Sequence, residues 1–282
     1  MRKLVLALVC ALAVAGTAVP SSAAAGSPTW APVDSASVRP GVPVQTSSGG
    51  CTTNFVFYER FVDASGRVRF DVLMGLAAHC FSLGGSTQTN ACTTPSRPLG
   101  SHARVEGATY PAILVYSSWI TAQQAGERNA NVCATNDFAL VRLDPRDHRR
   151  VNPSVLAWGG PHGIRTGATA AGEKVYSYGS SSLRLGLTPT SPKRGVAVGT
   201  SHGGWNHQVY TATPGIPGDS GSAVLDQRGR ALGVLVTLQA APLAASNGIT
   251  DLGHALAYAN GKTGHRWQLA DGTRGFDTPP LP

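Results

Sequence analysis

Ser220 lies in the hexapeptide PGDSGS, between two glycines and beside an acid, with hydrophobic runs on both sides. Glycines in such positions fit either a hairpin turn or a strained loop that presents a nucleophile. A serine hydroxyl is a weak nucleophile at neutral pH, so it needs an adjacent base, usually histidine, and the base needs an orienting acid. The nucleophile hypothesis therefore requires a suitable histidine and a suitable carboxylate elsewhere in the chain.

Among the eight histidines, His79 has the most distinctive setting, because it follows two alanines and precedes Cys80 at the end of an apolar run. Small neighbours leave its ring uncrowded. Asp137 begins the apolar segment DFALVRL. Taken singly, His79 fits a buried histidine bonded to a carbonyl group, and Asp137 fits a turn cap. Taken with Ser220, they fit a base and its orienting acid.

The three segments AAHC, NDFALVRL and GDSGS follow one another in the order His, Asp, Ser. They resemble the histidine, aspartate and serine motifs of the chymotrypsin-like (trypsin-like) serine peptidases, in particular secreted bacterial members. The order differs from that of the α/β-hydrolases and of the subtilisins. The resemblance spans roughly residues 46–260. It implies a serine endopeptidase that hydrolyses peptide bonds through a covalent acyl-enzyme.

The resemblance also implies a role for each residue. Ser220 is expected to attack the scissile carbonyl, His79 to transfer the proton and Asp137 to orient the imidazole ring. The backbone N–H groups of Gly218 and Ser220 would form the oxyanion hole. Asp219 would support this loop, with an Arg or Lys as its partner, because the sequence lacks the Ile-Val-Gly-Gly terminus that serves this purpose in activated animal members. The mechanism requires no organic cofactor and no metal, and the expected substrate is a protein or peptide.

The predicted specificity pocket carries little charge. Its predicted residues are Pro214, Gly215, Ile216 and Thr237. Trypsins have an aspartate six residues before the nucleophile, where this chain has Pro214, so we expect small or apolar substrate side chains rather than cationic ones. Glutamyl specificity is the alternative, with His202 or His207 reaching the pocket, although a surface position is favoured for both. Thr237 is the best available substitute for a serine that often supports the catalytic aspartate in the family.

The elements that must position these residues are predicted to be mainly strands. Charged residues are few (13%), while 34 glycines and 19 prolines favour an all-β, turn-rich fold. The resemblance implies two six-stranded antiparallel β-barrels and a C-terminal helix. Ile249, Leu252, Leu256 and Ala259 recur at helical spacing, and Asn260-Gly261 would end that helix. The predicted organisation is a signal peptide at 1–25, an exposed leader at 26–45, a barrel with His79 and Asp137 at 46–150, a barrel with Ser220 and the helix at 151–260, and a loosely held tail at 261–282.

The N-terminus predicts export. A basic start, an apolar run and small residues before Gly26 are typical of a secretory signal peptide, and secretion is expected. Four cysteines remain after its removal, which suggests two disulfides, and sequence alone leaves all three pairings open. A zinc site is disfavoured because no Cys-x-x-Cys spacing occurs. The family resemblance implies Cys51–Cys80 and Cys92–Cys133; Cys80–Cys92 with Cys51–Cys133 is the alternative.

The net charge of +8 comes from scattered residues, without the dense basic stripe that nucleic-acid binding requires. We expect a monomer that neither binds nucleic acid nor inserts stably into a membrane. Two alternative functions share the predicted fold: an esterase-type hydrolase with the same triad, and a non-catalytic binding module. The second usually lacks a triad member, whereas all three are present here.

Overall fold

The computed structural model describes residues 26–84, 89–239 and 244–280. The predicted signal peptide, residues 1–25, lies outside these ranges. In chain order the strands are β1 (Pro43–Thr46), β2 (Gly49–Thr52), β3 (Val56–Val62), β4 (Val68–Leu76), β5 (His102–Val105), β6 (Ala112–Ser117), β7 (Ala139–Arg142), β8 (Lys174–Tyr178), β9 (Pro192–Ser201), β10 (Asn206–Thr211), β11 (Ala223–Asp226), β12 (Ala231–Gln239), β13 (Ser246–Asp251) and β14 (Gln268–Leu269). The α-helices are α1 (Ser118–Gln124), α2 (Ala130–Thr135) and α3 (Leu252–Thr263).

The second half of the chain forms a closed antiparallel barrel of six strands, in the order β10-β13-β12-β11-β8-β9. Its strands range from four residues in β11 to ten in β9, and adjacent strands are antiparallel throughout. Their buried apolar side chains form one cluster: Val175, Ala197, Val209, Val224, Leu232, Leu235 and Ile249. The prediction of a six-stranded C-terminal barrel is confirmed.

Strands β1–β7 from the first half of the chain and β14 from its end form an eight-stranded curled sheet, in the order β14-β3-β4-β7-β6-β5-β1-β2. The prediction of a second closed six-stranded barrel is therefore wrong. Strand β14, from the end of the chain, pairs with β3 through Gln268–Tyr58 and Leu269–Phe57. Strand β14 therefore forms one edge of the sheet, and β2 forms the other edge.

The two terminal segments are packed against the body of the protein, contrary to the prediction of an exposed leader and a loosely held tail. Val38 is fully buried, and its N–H donates to the Arg150 carbonyl at 3.0 Å. In the tail, Trp267 is only 3% exposed and its ring lies 5.4 Å from that of Tyr116. Both segments carry apolar side chains that the sheet buries, and this burial holds them in place.

Helix α3 confirms the predicted C-terminal helix with shifted ends. Ile249 belongs to β13, and the side chain of Asp251 caps the helix by accepting from the His254 N–H at 2.7 Å. The helix continues past Gly261 and ends at Gly264, whose φ of +76° is a common C-terminal conformation for glycine. Within the described ranges, no helix combines the length and apolar character needed to cross a membrane.

Candidate active site

His79 and Asp137 are brought together by two paired strands. His79 lies in a 3-10 turn directly after β4, and Asp137 lies just before β7. These strands pair with Leu76 opposite Ala139, so the two side chains lie near the same end of the sheet. The His79 Nδ1 atom is 2.6 Å from Asp137 Oδ2, and the His79 backbone N–H donates to Asp137 Oδ1 at 2.8 Å. The carboxylate therefore fixes both the ring and the backbone of His79.

The environment of His79 suits a proton-accepting base. Burial by itself lowers its pKa, but the charge and hydrogen bond of Asp137 outweigh burial, and the pKa lies above its usual value. The His79 side chain remains 20% exposed, whereas that of Asp137 is 4% exposed. Because Nδ1 contacts Asp137, Nε2 is the nitrogen left for exchange with another group.

Asp137 has a further neighbour that sequence analysis missed. Its backbone N–H lies 3.4 Å from the hydroxyl of Thr250, which itself donates to the Thr135 carbonyl at 2.6 Å. Thr237, the predicted support for Asp137, instead accepts from the Gly248 N–H at 3.2 Å. Thr250 lies on β13 of the other β assembly, far from Asp137 in the chain, and no local pattern marks it.

Ser220 lies on a loop whose flanking glycines are required by its shape. Gly218 has φ of +96° and Gly221 has φ of +91°, a region that favours glycine. A Cβ at Gly221 would lie 2.3 Å from the Thr52 carbonyl oxygen. Thr52, at the end of β2, donates from its N–H to the Ser220 carbonyl and from its hydroxyl to the Gly218 carbonyl, both at 2.8 Å. These bonds join the serine loop to the N-terminal sheet.

The N–H groups of Gly218 and Ser220 have no hydrogen-bond acceptor among the described residues. Their carbonyl groups, in contrast, are both held by Thr52. The loop therefore presents two free donors beside the Ser220 side chain. Paired backbone donors of this kind can bind a developing oxyanion.

Asp219 is fully buried beneath the loop and is surrounded by donors. Its carboxylate accepts from the backbone N–H groups of Ser181 at 3.0 Å and Ile216 at 3.1 Å. It also pairs with the Arg184 guanidinium and, at 3.0 Å, with the Lys193 ammonium. Burial raises its pKa, but these cations and hydrogen bonds outweigh burial, and the pKa lies below its usual value. Asp219 thus contacts both an Arg and a Lys, the two partner types that the sequence suggested.

A cavity of about 650 Å³ contains both His79 and Ser220 in its lining. Three of the predicted pocket residues, Gly215, Ile216 and Thr237, also line it, whereas Pro214 does not. The Pro214 carbonyl instead accepts from Arg184 at 3.1 Å. The apolar lining residues that sequence analysis missed are Pro217, Leu235, Val236 and Leu238. They lie in the loop and on β12, and only the curvature of the barrel places β12 opposite the 215–218 segment.

The two histidines considered for glutamyl specificity lie outside this cavity. His202 is exposed. His207 is only 1% exposed, and its Nε2 lies 2.8 Å from Asp251 Oδ2. The surface position favoured for His207 is therefore wrong, because its side chain is buried and pairs with a buried carboxylate.

Two disulfides join Cys51 to Cys80 and Cys92 to Cys133 in the structure. The alternative pairing is therefore not the one adopted. Among the described residues, Cys51, His79 and Cys80 bring potential metal-ligating atoms within 4.8 Å of one another. Both sulfur atoms belong to one disulfide, however, and so lack the thiolate form that binds a metal.

Comparison with known proteins agrees with this geometry. The trypsin-like peptidase domain matches residues 77–234, which are more than half of the chain and include His79, Asp137 and Ser220. The chain therefore belongs to the trypsin-like peptidase family. It is a serine-type peptidase, a hydrolase whose substrates are proteins or peptides.

Several solved structures of serine proteases are similar to the chain at low identity. Protease A of Thermobifida fusca is 15% identical, with 84% of this chain and 100% of that chain covered and a TM-score of 0.48. A glutamic acid specific serine protease is 16% identical, with 78% and 96% covered and a TM-score of 0.46. A Glu endopeptidase is 16% identical, with 75% and 91% covered and a TM-score of 0.45. No curated protein sequence matches the chain significantly.

Proposed function

We propose that this protein is an exported serine endopeptidase that uses Ser220, His79 and Asp137 as a catalytic triad. The observation that carries the proposal is the two-point contact of Asp137 with His79, in a cavity that Ser220 also lines. A non-catalytic module would not require a base with an oriented ring in the same cavity as a serine loop whose Gly218 and Ser220 N–H groups have no acceptor among the described residues.

The geometry supports a covalent mechanism. Ser220 Oγ attacks the carbonyl carbon of the peptide while its proton moves to His79 Nε2, and Asp137 stabilises the resulting imidazolium. The carbonyl oxygen becomes an oxyanion between the N–H groups of Gly218 and Ser220. The C–N bond then breaks, the amine leaves with the proton from His79, and an acyl-enzyme remains. A water molecule then gives a proton to His79 and attacks the acyl carbon. The bond from that carbon to Ser220 Oγ breaks, His79 returns the proton to Oγ, and the carboxylic acid product leaves.

A fluorophosphonate probe tests this mechanism, because it labels only an activated serine. We expect the label on Ser220 by peptide mass spectrometry, and its loss together with peptide hydrolysis in Ser220→Ala. Ser101→Ala, which removes a hydroxyl outside the cavity, should keep both. Absence of label on Ser220 in folded protein would contradict the proposal.

The cavity also supports the preference for small or apolar substrate side chains. Among the described residues, none of its lining side chains is Asp, Glu, Lys or Arg. Leu235 packs under Gly215, where an added Cβ would lie 2.7 Å from Leu235 Cδ1. The buried side chain of Asn247 joins Gly215 to the Thr237 carbonyl, donating to the latter at 2.9 Å. Leu235 and Asn247 would therefore limit the depth of the pocket.

A peptide library measures this preference directly. Cleavage is expected after small or apolar residues. Leu235→Ala should extend cleavage to larger apolar residues, because the smaller side chain makes the pocket deeper. Cleavage mainly after Arg, Lys or Glu would contradict the pocket assignment. Matched ester and amide substrates test the esterase alternative, since an endopeptidase must hydrolyse internal amide bonds at a useful rate.

Export is supported by the two disulfides, which form in oxidising compartments. Expression of the full chain in a secreting host should release protein into the medium with a new N-terminus close to Gly26. Retention of residues 1–25 on the released protein would contradict the signal-peptide prediction.

A further inference from the structure

A buried hydroxyl group from α1 holds the backbone on either side of Asp137. Ser118 is the first residue of α1, and its side chain is fully buried. Its hydroxyl donates to the Asn136 carbonyl at 2.7 Å and accepts from the Phe138 N–H at 3.0 Å. One side chain thus bridges the residues immediately before and after Asp137.

A second buried hydroxyl, from the other β assembly, makes a similar bridge one residue earlier. Thr250 lies on β13 and is also fully buried. Its hydroxyl donates to the Thr135 carbonyl at 2.6 Å and lies 3.4 Å from the backbone nitrogen of Asp137. The Asp137 N–H has no other acceptor among the described residues. The two bridges overlap, so the peptide of Asp137 is held from both sides.

Asp137 depends on this support because little else fixes it. It lies between the end of α2 and the start of β7, outside the regular hydrogen bonds of either element. His79 uses both carboxylate oxygens, and no other donor contacts them within the described part of the chain. Thr237, the support expected from the sequence, contacts the Gly248 N–H instead. The backbone therefore places this carboxylate, and a displacement of about 1 Å at a reacting group can cost about 10²-fold in rate.

Thr250 also links Asp137 to the barrel that carries Ser220. Thr250 pairs with Val234 of β12, and Val234 pairs with Ala223 of β11. Ala223 lies only three residues after Ser220. The Thr250 hydroxyl therefore connects the segment that bears the acid with the strands that position the nucleophile.

We propose that Ser118 and Thr250 are positioning residues for Asp137. Ser118 fixes its peptide relative to the first sheet, and Thr250 fixes it relative to the barrel, so that the carboxylate meets both the ring and the backbone of His79. Neither residue lines the cavity, and both act through Asp137. This inference rests on the proposed triad mechanism.

The experiment compares Ser118→Ala, Thr250→Val and the conservative variant Thr250→Ser in the full chain. Ser154→Ala is the control, because Ser154 is equally buried but its hydroxyl accepts from the Arg274 N–H in the tail. Fluorophosphonate titration to completion gives the concentration of active sites, and a peptide substrate gives kcat and KM per site. We expect Ser118→Ala and Thr250→Val each to lower kcat about 10-fold with KM within about twofold. Thr250→Ser and Ser154→Ala should match the parent protein in kcat.

The pH profile separates positioning from a loss of stability. Asp137 is the charged group that acts on His79 within the described chain, and it raises the pKa of His79. A displaced carboxylate raises that pKa less, so the acidic limb of kcat/KM should move to lower pH in Ser118→Ala and Thr250→Val. Thr250→Ser should restore the limb of the parent protein, and Ser154→Ala should leave it in place.

A combination with Asp137→Asn tests whether the effect passes through Asp137. In that background Thr250→Val should lower kcat by less than about twofold, because the carboxylate that it positions is already gone. A further 10-fold fall would overturn the proposal, since it would place the effect elsewhere in the site.

The proposal would also be overturned if Ser118→Ala and Thr250→Val lost stability in urea unfolding but kept kcat per labelled site and the acidic limb of the parent. If one of these variants does not fold, the other decides the question. Failure of the parent protein itself to take the label on Ser220 would instead refute the proposed triad mechanism, so the two failures are distinguishable.

Discussion

Replacing Gly218 with alanine should remove most of the catalytic activity while the rest of the fold is retained. Gly218 has φ of +96°, where a residue with a side chain is strained by about 1–3 kcal/mol. The new Cβ would also lie 2.9 Å from Ser181 Oγ and 3.1 Å from Ser181 Cα. Ser181 is held by its bonds to Asp219 and Pro217, so it cannot move away easily.

The loop can relieve this strain by rotating the peptide between Pro217 and Gly218. That rotation turns the Gly218 N–H away from the site of the oxyanion. Loss of one such donor typically lowers kcat by about 10²–10³, or about 2.7–4 kcal/mol of transition-state stabilisation. KM should change little, because the donor acts mainly on the transition state.

Gly66 provides the matched control. It has a similar φ of +79° but lies in the turn between β3 and β4, with no atom within 4 Å of an added Cβ. Gly66→Ala should lose about 1–3 kcal/mol of unfolding free energy through backbone strain and keep its kcat. The assay is kcat and KM per titrated active site, with urea unfolding of both variants. If Gly218→Ala keeps kcat within about threefold of the parent, the oxyanion role of this N–H is refuted.

Three further predictions concern the triad, a disulfide and the tail. Asp137→Asn should lower kcat about 10⁴-fold. Because Asp137 raises the pKa of His79 and the base must be neutral, the acidic limb of the pH profile of kcat/KM should also move to lower pH. An acidic limb at the same pH as in the parent protein would argue against electrostatic coupling between Asp137 and His79. The double substitution Cys92→Ala and Cys133→Ala should lower the unfolding free energy by about 4 kcal/mol in the chain-entropy model, since the disulfide spans 41 residues. We expect kcat to change little. A large fall in kcat of the folded variant would instead mean that this disulfide supports the active site. Trp267→Ala should destabilise the protein by about 3–5 kcal/mol in urea unfolding, because the ring is buried; an unchanged midpoint would mean that the tail is not part of the fold.

The chemistry of this protein was readable because its motifs are local. Each of AAHC, NDFALVRL and GDSGS is a short segment whose residue types suffice to suggest a role. The glycines around Ser220 are marked in the same way, since a positive φ restricts the choice of residue at one position. The helix was predicted for a similar reason, although its ends depended on the Asp251 cap and on Gly264.

The support of the site was not readable, because it depends on contacts between distant segments. Arg184 reaches Asp219 across 35 residues. Lys193 reaches it from β9, and neither cation lies in a recognisable motif. In the sequence, Leu235 and Val236 are ordinary apolar strand residues. They line the cavity because the curvature of the barrel brings β12 close to the 215–218 segment.

Residue types and short-range patterns were sufficient to predict which residues could carry out the chemistry and that the fold is mainly β. The end of the first sheet, the side chains of the pocket and the cations that contact Asp219 became known only from the folded chain. The physical reason is that a nucleophile, a base and a strained glycine are defined by residue type and immediate neighbours. An edge strand or a buried ion pair depends on which distant segments pack together and exclude water. In this chain, for example, β14 near the C-terminus pairs with β3 near the N-terminus.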